Sequence, residues 1–513
     1  MQARQRGILL FLIITITLGS LPHVGADPPL DVGDRKQLFI DRRFIENSQN
    51  VELRMNPPQK LGLVMPNHIE PWPFNPSYAA HVMEDGGVFK MYYGCYTPAG
   101  RAFALSVSED GLHWTHPNLG IVSIAGNKNN NVLFVGDGFE IASIIKDHRD
   151  IPERRYKVFR VKHVHDNRDV NGMYAYISAD GVHFKEHARV LPLFIDNPAL
   201  PRWDARIGKY VVYTRSFIPG AENQRKVARL EMDDLLKPWP YNKSAPIQDN
   251  LRALPEHLGV VMQADPKLDP YQDLYYNNAF IYPWAQDAYF MFITPFRHFH
   301  RSLQPWFRFE PGNDYGLIEP QLAVSRDGIH WIRPSREPYV RPGLPDEFDR
   351  WTAIMGAGMI RKGNYLYQYY NSSSRTHDSA ILRPEYDDIV IPNTGIGAVR
   401  QRLDGFMSAD ANFEGGWLQT PLLVFRGNRL RLNIDTGATG TTFVEIRDKN
   451  DQPIPGFTLK DCEEVGGNFV RSLVRWNRNA DLSRFVGKPV KLYFKMTGSK
   501  LYAFQFVKEG RAE

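Results

Sequence analysis

The chain has 513 residues, with 62 Lys+Arg against 57 Asp+Glu, a formal net charge of +5, 2 cysteines, 37 prolines and 40 glycines. So small a charge excess, with no clustered basic stretch, excludes phosphate-tracking nucleic-acid binding. Two cysteines exclude a disulfide framework, so stability has to come from core burial.

In chain order, residues 1–26 come first: Arg4 and Arg6, an apolar run from Ile8 to Leu18, then Val24-Gly25-Ala26. A charged start, a short apolar core and a small-residue cleavage site predict a signal peptide, hence a secreted or periplasmic protein. No later stretch reaches the ~18 uninterrupted apolar residues of a membrane helix, so no membrane contact is expected after cleavage.

Residues 27–402 carry a repeat. "SEDGLHW" from Ser108 returns as "SADGVHF" from Ser178 and "SRDGIHW" from Ser325. Strand-like runs open at Phe89, Tyr156, Tyr210, Tyr289 and Tyr365, each rich in aromatic or β-branched residues. Their spacing is too long for hairpins and suits one four-stranded sheet apiece. The interval from 178 to 325 holds two units; "RKVARLEMDDLLKPW" from Arg225 stands for the missing third turn and "GIGAVRQRLDGF" from Gly395 for the fifth. In each clear copy glycine supplies a positive φ, Ser and Asp accept backbone N–H groups, and the closing Trp or Phe is a hydrophobic plug. The motif therefore reads as a structural staple between outer strands of a sheet. Five such sheets, none able to bury both faces alone, predict an all-β chain with a five-bladed β-propeller over 27–402 as the catalytic domain. Residues 403–513 read as short strands at 8 to 12 residue spacing, a C-terminal β-sandwich. Cys95 and Cys462 fall on different predicted domains, and a bridge between them is left open.

Innermost propeller strands start near one mouth of the central channel. Acids precede all five aromatic anchors at comparable distances: Glu70, Glu140, Asp196, Asp273 and Asp349. Glu70 sits with Trp72, Phe74 and Tyr78, rings of the kind that stack on sugars and raise a carboxyl pKa toward that of a general acid. Asp196 is framed by Phe194 and Trp203. Asp273 stands beside Tyr275, Tyr276, Asn277 and Asn278, whose amides and phenols suit a polyhydroxylated ligand. Arg215 closes the third anchor strand, placed to hold an anion or neutralise an acid. Arg297, His298 and His300 follow the fourth. His298 and His300 share a strand face, but no third ligand of suitable spacing accompanies them, so no metal site is assigned. A structural calcium leaves no readable motif, and no cofactor is expected. Nucleophile elbows, zinc-protease motifs and P-loops are absent from the sequence. What remains is carboxylate chemistry on a hydroxyl-rich substrate.

The layout, "SYAAHVMEDGGVFKMYYGC", "IIKDHRDIPERRYKVF", "SEDGLHW" and the closing "VRWNRNADLSRFVGKPVKLYFKMTGSKLYAFQF" resemble the five-bladed propeller glycosidases, the superfamily of glycoside hydrolase families 32, 43 and 68, and in particular secreted family 32-like proteins. The resemblance implies an acid on each of the first three blades. Where those enzymes carry a Trp-x-Asn-Asp-Pro-like segment, this chain has "PNHIEPWPFNP" with Glu70; where they carry Arg-Asp-Pro it has only Glu140 or Asp147; and "IDNPA" puts Asp196 at the third acid position. The expectation is thus a glycoside hydrolase acting on a polysaccharide or oligosaccharide. Glu70 and Asp196 form the acid/base or nucleophile pair, and Asp273 orients a hydroxyl or tunes a pKa. Trp72, Glu140, Arg215, Tyr275, Asn277, His298 and Asp349 serve substrate binding. The rival expectation is a non-catalytic carbohydrate-binding propeller exported to the cell surface.

Overall fold

The computed structural model describes residues 28–67, 75–136, 139–162, 164, 168–193, 195, 197–217, 225–244, 258–265, 267–268, 272–298, 316–373, 375–377, 394–508 and 510. Among them the chain is all-β, with short 3-10 turns and no α-helix, and none of its sheets closes into a barrel. No helix among the described residues is long and apolar enough to cross a membrane.

Three four-stranded antiparallel sheets follow one another in sequence. Sheet I holds Asn75–Asp85, Val88–Thr97, Gly100–Ser108 and Val132–Val135. Sheet II holds Phe139–Lys146, Tyr156–Lys162, Gly172–Ser178 and Lys185–Leu191. Sheet III holds Leu200–Asp204, Lys209–Phe217, Arg225–Met232 and Val260–Met262. Sheet IV is built on Gln272–Ile281 and Tyr289–His298, the latter also pairing with Gly316–Ile318 and Gln321–Ser325. Sheet V is built on Tyr365–Ser373, which pairs with Thr352–Met355, Ile360–Lys362 and Gly395–Arg402. Its outer strand, Gln59–Pro66, comes from the N-terminal side of the chain. One parallel pairing, Ile318 with Thr352, runs sheets IV and V together.

Aromatic hydroxyls join each sheet to the next. Tyr156, Tyr210 and Tyr289, on the second strands of sheets II, III and IV, donate to Asp85 (2.6 Å), Asp147 (2.7 Å) and Asp204 (2.8 Å) at the first turn of the preceding sheet. Sheets IV and V share a core of Phe280, Phe290, Phe292, Met355, Tyr370 and Phe406. Sheet V returns to sheet I: Val82 N–H donates to the Ala357 carbonyl at 2.9 Å. The contacts therefore run I to II to III to IV to V and back to I. Strand Tyr289–His298 is buried at nine of its ten positions on both pleat faces, as expected for a strand covered on either side.

The Ser-x-Asp-Gly turns open at the ends of strands Gly100–Ser108, Gly172–Ser178 and Gln321–Ser325. Ser325 Oγ accepts from Gly328 N–H (2.9 Å), and Asp327 Oδ1 accepts from the N–H groups of Ile329 and His330 (2.8 Å each). The turns at Ser108 and Ser178 repeat this pattern. They reach further than a link between outer strands of one sheet. The freed glycine carbonyls of Gly111, Gly181 and Gly328 accept from Tyr369 of sheet V (2.6 Å), Tyr92 of sheet I (3.2 Å) and Tyr213 of sheet III (2.7 Å). Gly328 has φ +74°, and a Cβ there would stand 2.4 Å from the Tyr213 hydroxyl, so both conformation and space demand glycine. Trp114 and Trp331 lie edge-on against the same tyrosines, Tyr369 and Tyr213.

Beside a parallel pair of Leu423–Phe425 with Leu30–Gly33, the C-terminal strands form two larger sheets. One orders Asn468–Leu473, Arg429–Asp435, Ser499–Val507, Met407–Ala411 and Glu52–Met55, with Gln37–Leu38 attached; the other orders Asn47–Gln49, Gly416–Gln419, Lys491–Thr497 and Thr441–Arg447. Phe39, Phe44, Leu432, Phe494, Phe504 and Trp476 are among the buried side chains of their common core. The expected division counted residues 27–402 as one unit, yet Gln37–Leu38, Asn47–Gln49 and Glu52–Met55 hydrogen-bond with C-terminal strands. Cys95 and Cys462 are both buried and both free.

Candidate functional site

Asp273 is the second residue of the first strand of sheet IV and its side chain is fully buried. Its Oδ2 accepts from Arg225 Nη1 at 3.0 Å and lies 3.2 Å from His298 Nε2. Burial pushes this carboxyl up; the His298 ring beside it and the Arg225 charge outweigh it and hold Asp273 below the usual carboxylate range. The other oxygen, Oδ1, is buried and, among the described residues, accepts from no group. Asp273 is therefore an ionised carboxylate with half its hydrogen-bonding capacity unspent, which buried polar groups seldom are without a ligand or water to answer them.

Side chains from four strand ends surround it. A register shift between Leu274 and Tyr276 turns Tyr275 out of the alternation of its strand. Arg215, near the end of the second strand of sheet III and buried, hooks the Tyr275 carbonyl through Nε (3.1 Å) and Nη2, with its guanidinium 4.8 Å from the Tyr275 ring centroid. The Arg225 guanidinium lies 5.2 Å from that ring and 5.4 Å from Phe296. Beyond it, His377 Nε2 is 3.0 Å from the Tyr275 hydroxyl. His298 is fully buried with Phe296 against its ring at 4.1 Å. Four residues beyond Asp273 on the strand, Asn277 is buried and, among the described residues, its Oδ1 likewise has no partner. Asn278 donates to the Met355 carbonyl of sheet V.

Of the residues expected from sequence, Asp273, Tyr275, Arg215 and His298 are thus brought together where sheets III, IV and V meet, while Asn277 lies four residues further along the strand. Asp349 is held in an ion pair of its own, with Lys60 Nζ at 2.7 Å and the Tyr370 hydroxyl at 2.8 Å. Glu70, Trp72 and Asp196 lie outside the described residues, as does the side chain of Glu140. Arg225 and His377 were not singled out for this role. The sequence from Arg225 reads as a turn, whereas in the structure Arg225 opens a strand; His377 sits in the short stretch after Tyr365–Ser373 with no motif around it.

No family model matches the chain, and no curated protein matches it. Solved structures do. The chain is similar in layout to a glycosyl hydrolase from Bacteroides ovatus (14% identity, covering 73% of this chain and 96% of that one, TM-score 0.40). It is also similar to a structure of the GH130 family of mannoside phosphorylases, which contains glycoside hydrolases that target β-1,2 mannosidic linkages in Candida mannan (13%, 72% and 97%, TM-score 0.42). A third is an N-acetylgalactosamine deacetylase from F. plautii in complex with blood group B trisaccharide (12%, 69% and 96%, TM-score 0.41).

Proposed function

We propose that the protein is an exported glycoside hydrolase, acting on a polysaccharide or oligosaccharide at the mouth where Asp273 lies. In this reading sheets I to V are the blades of a five-bladed propeller, since each touches the next and the fifth touches the first. The C-terminal sheets with strands Gln37–Leu38, Asn47–Gln49 and Glu52–Met55 form a β-sandwich, and residues 1–26 are the export signal.

The observation that carries the proposal is the Asp273 carboxylate, buried and held ionised by Arg225 and His298 while Oδ1 remains open. A group kept below the ordinary carboxylate range is a poor proton donor. It suits the opposite task, accepting a sugar hydroxyl or stabilising the positive charge that builds on the anomeric carbon as the glycosidic bond breaks. Asn277 Oδ1 offers a second acceptor, and the Tyr275 ring an apolar face for a pyranose. The acid that protonates the leaving oxygen, and the carboxylate that activates water or attacks, are assigned to Glu70 and Asp196. No cofactor is required, because two carboxylates suffice for glycosidic cleavage.

The test is Glu70→Gln and Asp196→Asn, made separately and assayed by new reducing ends on a panel of plant and algal polysaccharides. Each is expected to lose ~10²-fold or more in kcat. Full activity in both would end the assignment of the pair, and glycan binding with no sugar released by wild type would favour the non-catalytic reading.

A further inference from the structure

A cavity of about 530 Å³ opens among sheets I, II, III, IV and V at the other end of their first strands. Phe280 lines it, seven residues beyond Asp273 on one strand, or ~23 Å along it. This is the size range of pockets for monosaccharides and comparable ring compounds. Its walls differ from the Asp273 mouth in charge and in chemistry.

Two groups there, one buried and one half-buried, keep polar capacity to spare. His81 is 2% exposed, its ring is bonded to the Ala142 backbone, and its Nε2 is buried with no partner. Burial, followed by the neighbouring Arg202 charge, pushes the His81 pKa down to about 3, so the ring is neutral and Nε2 presents a lone pair. Arg202 lies deep in the cavity with part of its surface facing the open space; its one hydrogen bond is from Nη1 to the Pro201 carbonyl at 2.7 Å. Burial pushes it down to about 10, and among the described residues no carboxylate offsets the cost. The other charges are spent or peripheral. Lys146 pairs with Asp85, and Asp147 with Lys157. Glu84 and His148 are exposed at the rim. Arg149, also exposed, lies 3.6 Å over the Trp203 ring, and Trp203 and Trp284 stand half-buried in the wall.

We propose that this cavity binds a small ring compound bearing one oxyanion, a carboxylate, sulfate or phosphate, with the oxyanion on Arg202, a ring hydroxyl donating to His81 Nε2, and the ring resting on Trp203 or Trp284. A half-buried guanidinium with no counter-charge among the described residues is compensated by such a ligand, and its planar fork matches all three oxyanions. Indole faces supply the apolar contact that a sugar or aromatic ring needs. The site goes beyond the hydrolase reading and does not depend on it.

Calorimetric titration of the full-length protein with D-glucuronate, D-glucose 6-sulfate, D-glucose 6-phosphate and neutral D-glucose tests this. At least one charged probe is expected to bind about tenfold or more tighter than glucose, and Arg202→Met to abolish that preference while Arg202→Lys keeps part of it. Asp273→Asn is expected to leave the binding unchanged, which separates this cavity from the hydrolytic mouth. If Arg202→Met loses its thermal transition, Arg149→Ala on the exposed rim carries the test through a several-fold weakening. Equal binding of glucose and the charged probes, unchanged binding in Arg202→Met or, where that variant does not fold, in Arg149→Ala, or loss in Asp273→Asn would overturn the proposal.

Discussion

At the Ser-x-Asp-Gly turn that opens at Ser325 the polar groups are answered from within. Ser325 Oγ and Asp327 Oδ1 take three backbone N–H groups, and the Gly328 carbonyl takes the Tyr213 hydroxyl. On the same sheet, Asp273 Oδ1 and, four residues along, Asn277 Oδ1 are buried and answered by none of the described residues. Both regions are rich in Asp, Tyr and His, so composition does not separate them. The unspent capacity does: a polar network that closes on itself holds sheets together, and one that stays open is available to a ligand.

This contrast can be broken from either side. Arg225→Met acts on the open site. It removes a cation that helps outweigh burial, so Asp273 rises, and the acid limb of kcat/KM is expected to move up by about one pH unit, with a smaller change in the thermal midpoint. A limb that stays in place would show that Asp273 does not titrate in turnover. Gly328→Ala acts on the closed site. Positive φ and the Tyr213 hydroxyl both oppose a Cβ, and about 2 kcal/mol of stability is expected to be lost in denaturant titration with kcat unchanged. Gly208→Ala is the control: φ is +65° but nothing lies within 4 Å, so only the conformational cost of about 1 kcal/mol applies. Equal losses in the two would remove the steric half of the argument.

The smallest effect concerns acid. Asp110, Asp180 and Asp327 all lie below the usual carboxylate range. In Asp110 the His113 backbone N–H is the leading cause; in Asp180 and Asp327 burial pushes up, and the hydrogen bonds of His183 and His330 outweigh it. A carboxyl depressed on folding stabilises fully above its unfolded value of about 3.9. That contribution is lost as pH falls through the lower folded value. The melting temperature is therefore expected to fall below about pH 4, and Asp327→Asn to fall less steeply there than wild type. An identical acid slope would show that the turn carboxylates contribute nothing to it.

Much of sheets I to V was legible because their signals are local. The runs at Phe89, Tyr156, Tyr210, Tyr289 and Tyr365 each fall within a second strand, and the three turns announce themselves by Ser, Asp and Gly at fixed offsets. Even the degenerate copies left traces. Asp234 still accepts the Leu236 N–H, and Asp404, at φ +64°, accepts the Tyr282 hydroxyl. What was not legible depends on partners hundreds of residues away. Gln59–Pro66 completes sheet V beside Gly395–Arg402, and Glu52–Met55 pairs with Met407–Ala411. Nothing in those short segments encodes the distant strand they meet. The site divides the same way: Asp273 and Tyr275 stand out in a run of aromatics and amides, whereas Arg225 and His377 join them only through the packing of sheets III, IV and V.

The central claim is tested most directly by Asp273→Asn, which keeps the size of the side chain and removes its charge. On any oligosaccharide that wild type cleaves, reducing-end release by the variant is expected to fall ~10²-fold or more, with its thermal midpoint close to that of wild type. Undiminished release by a folded variant would contradict the account.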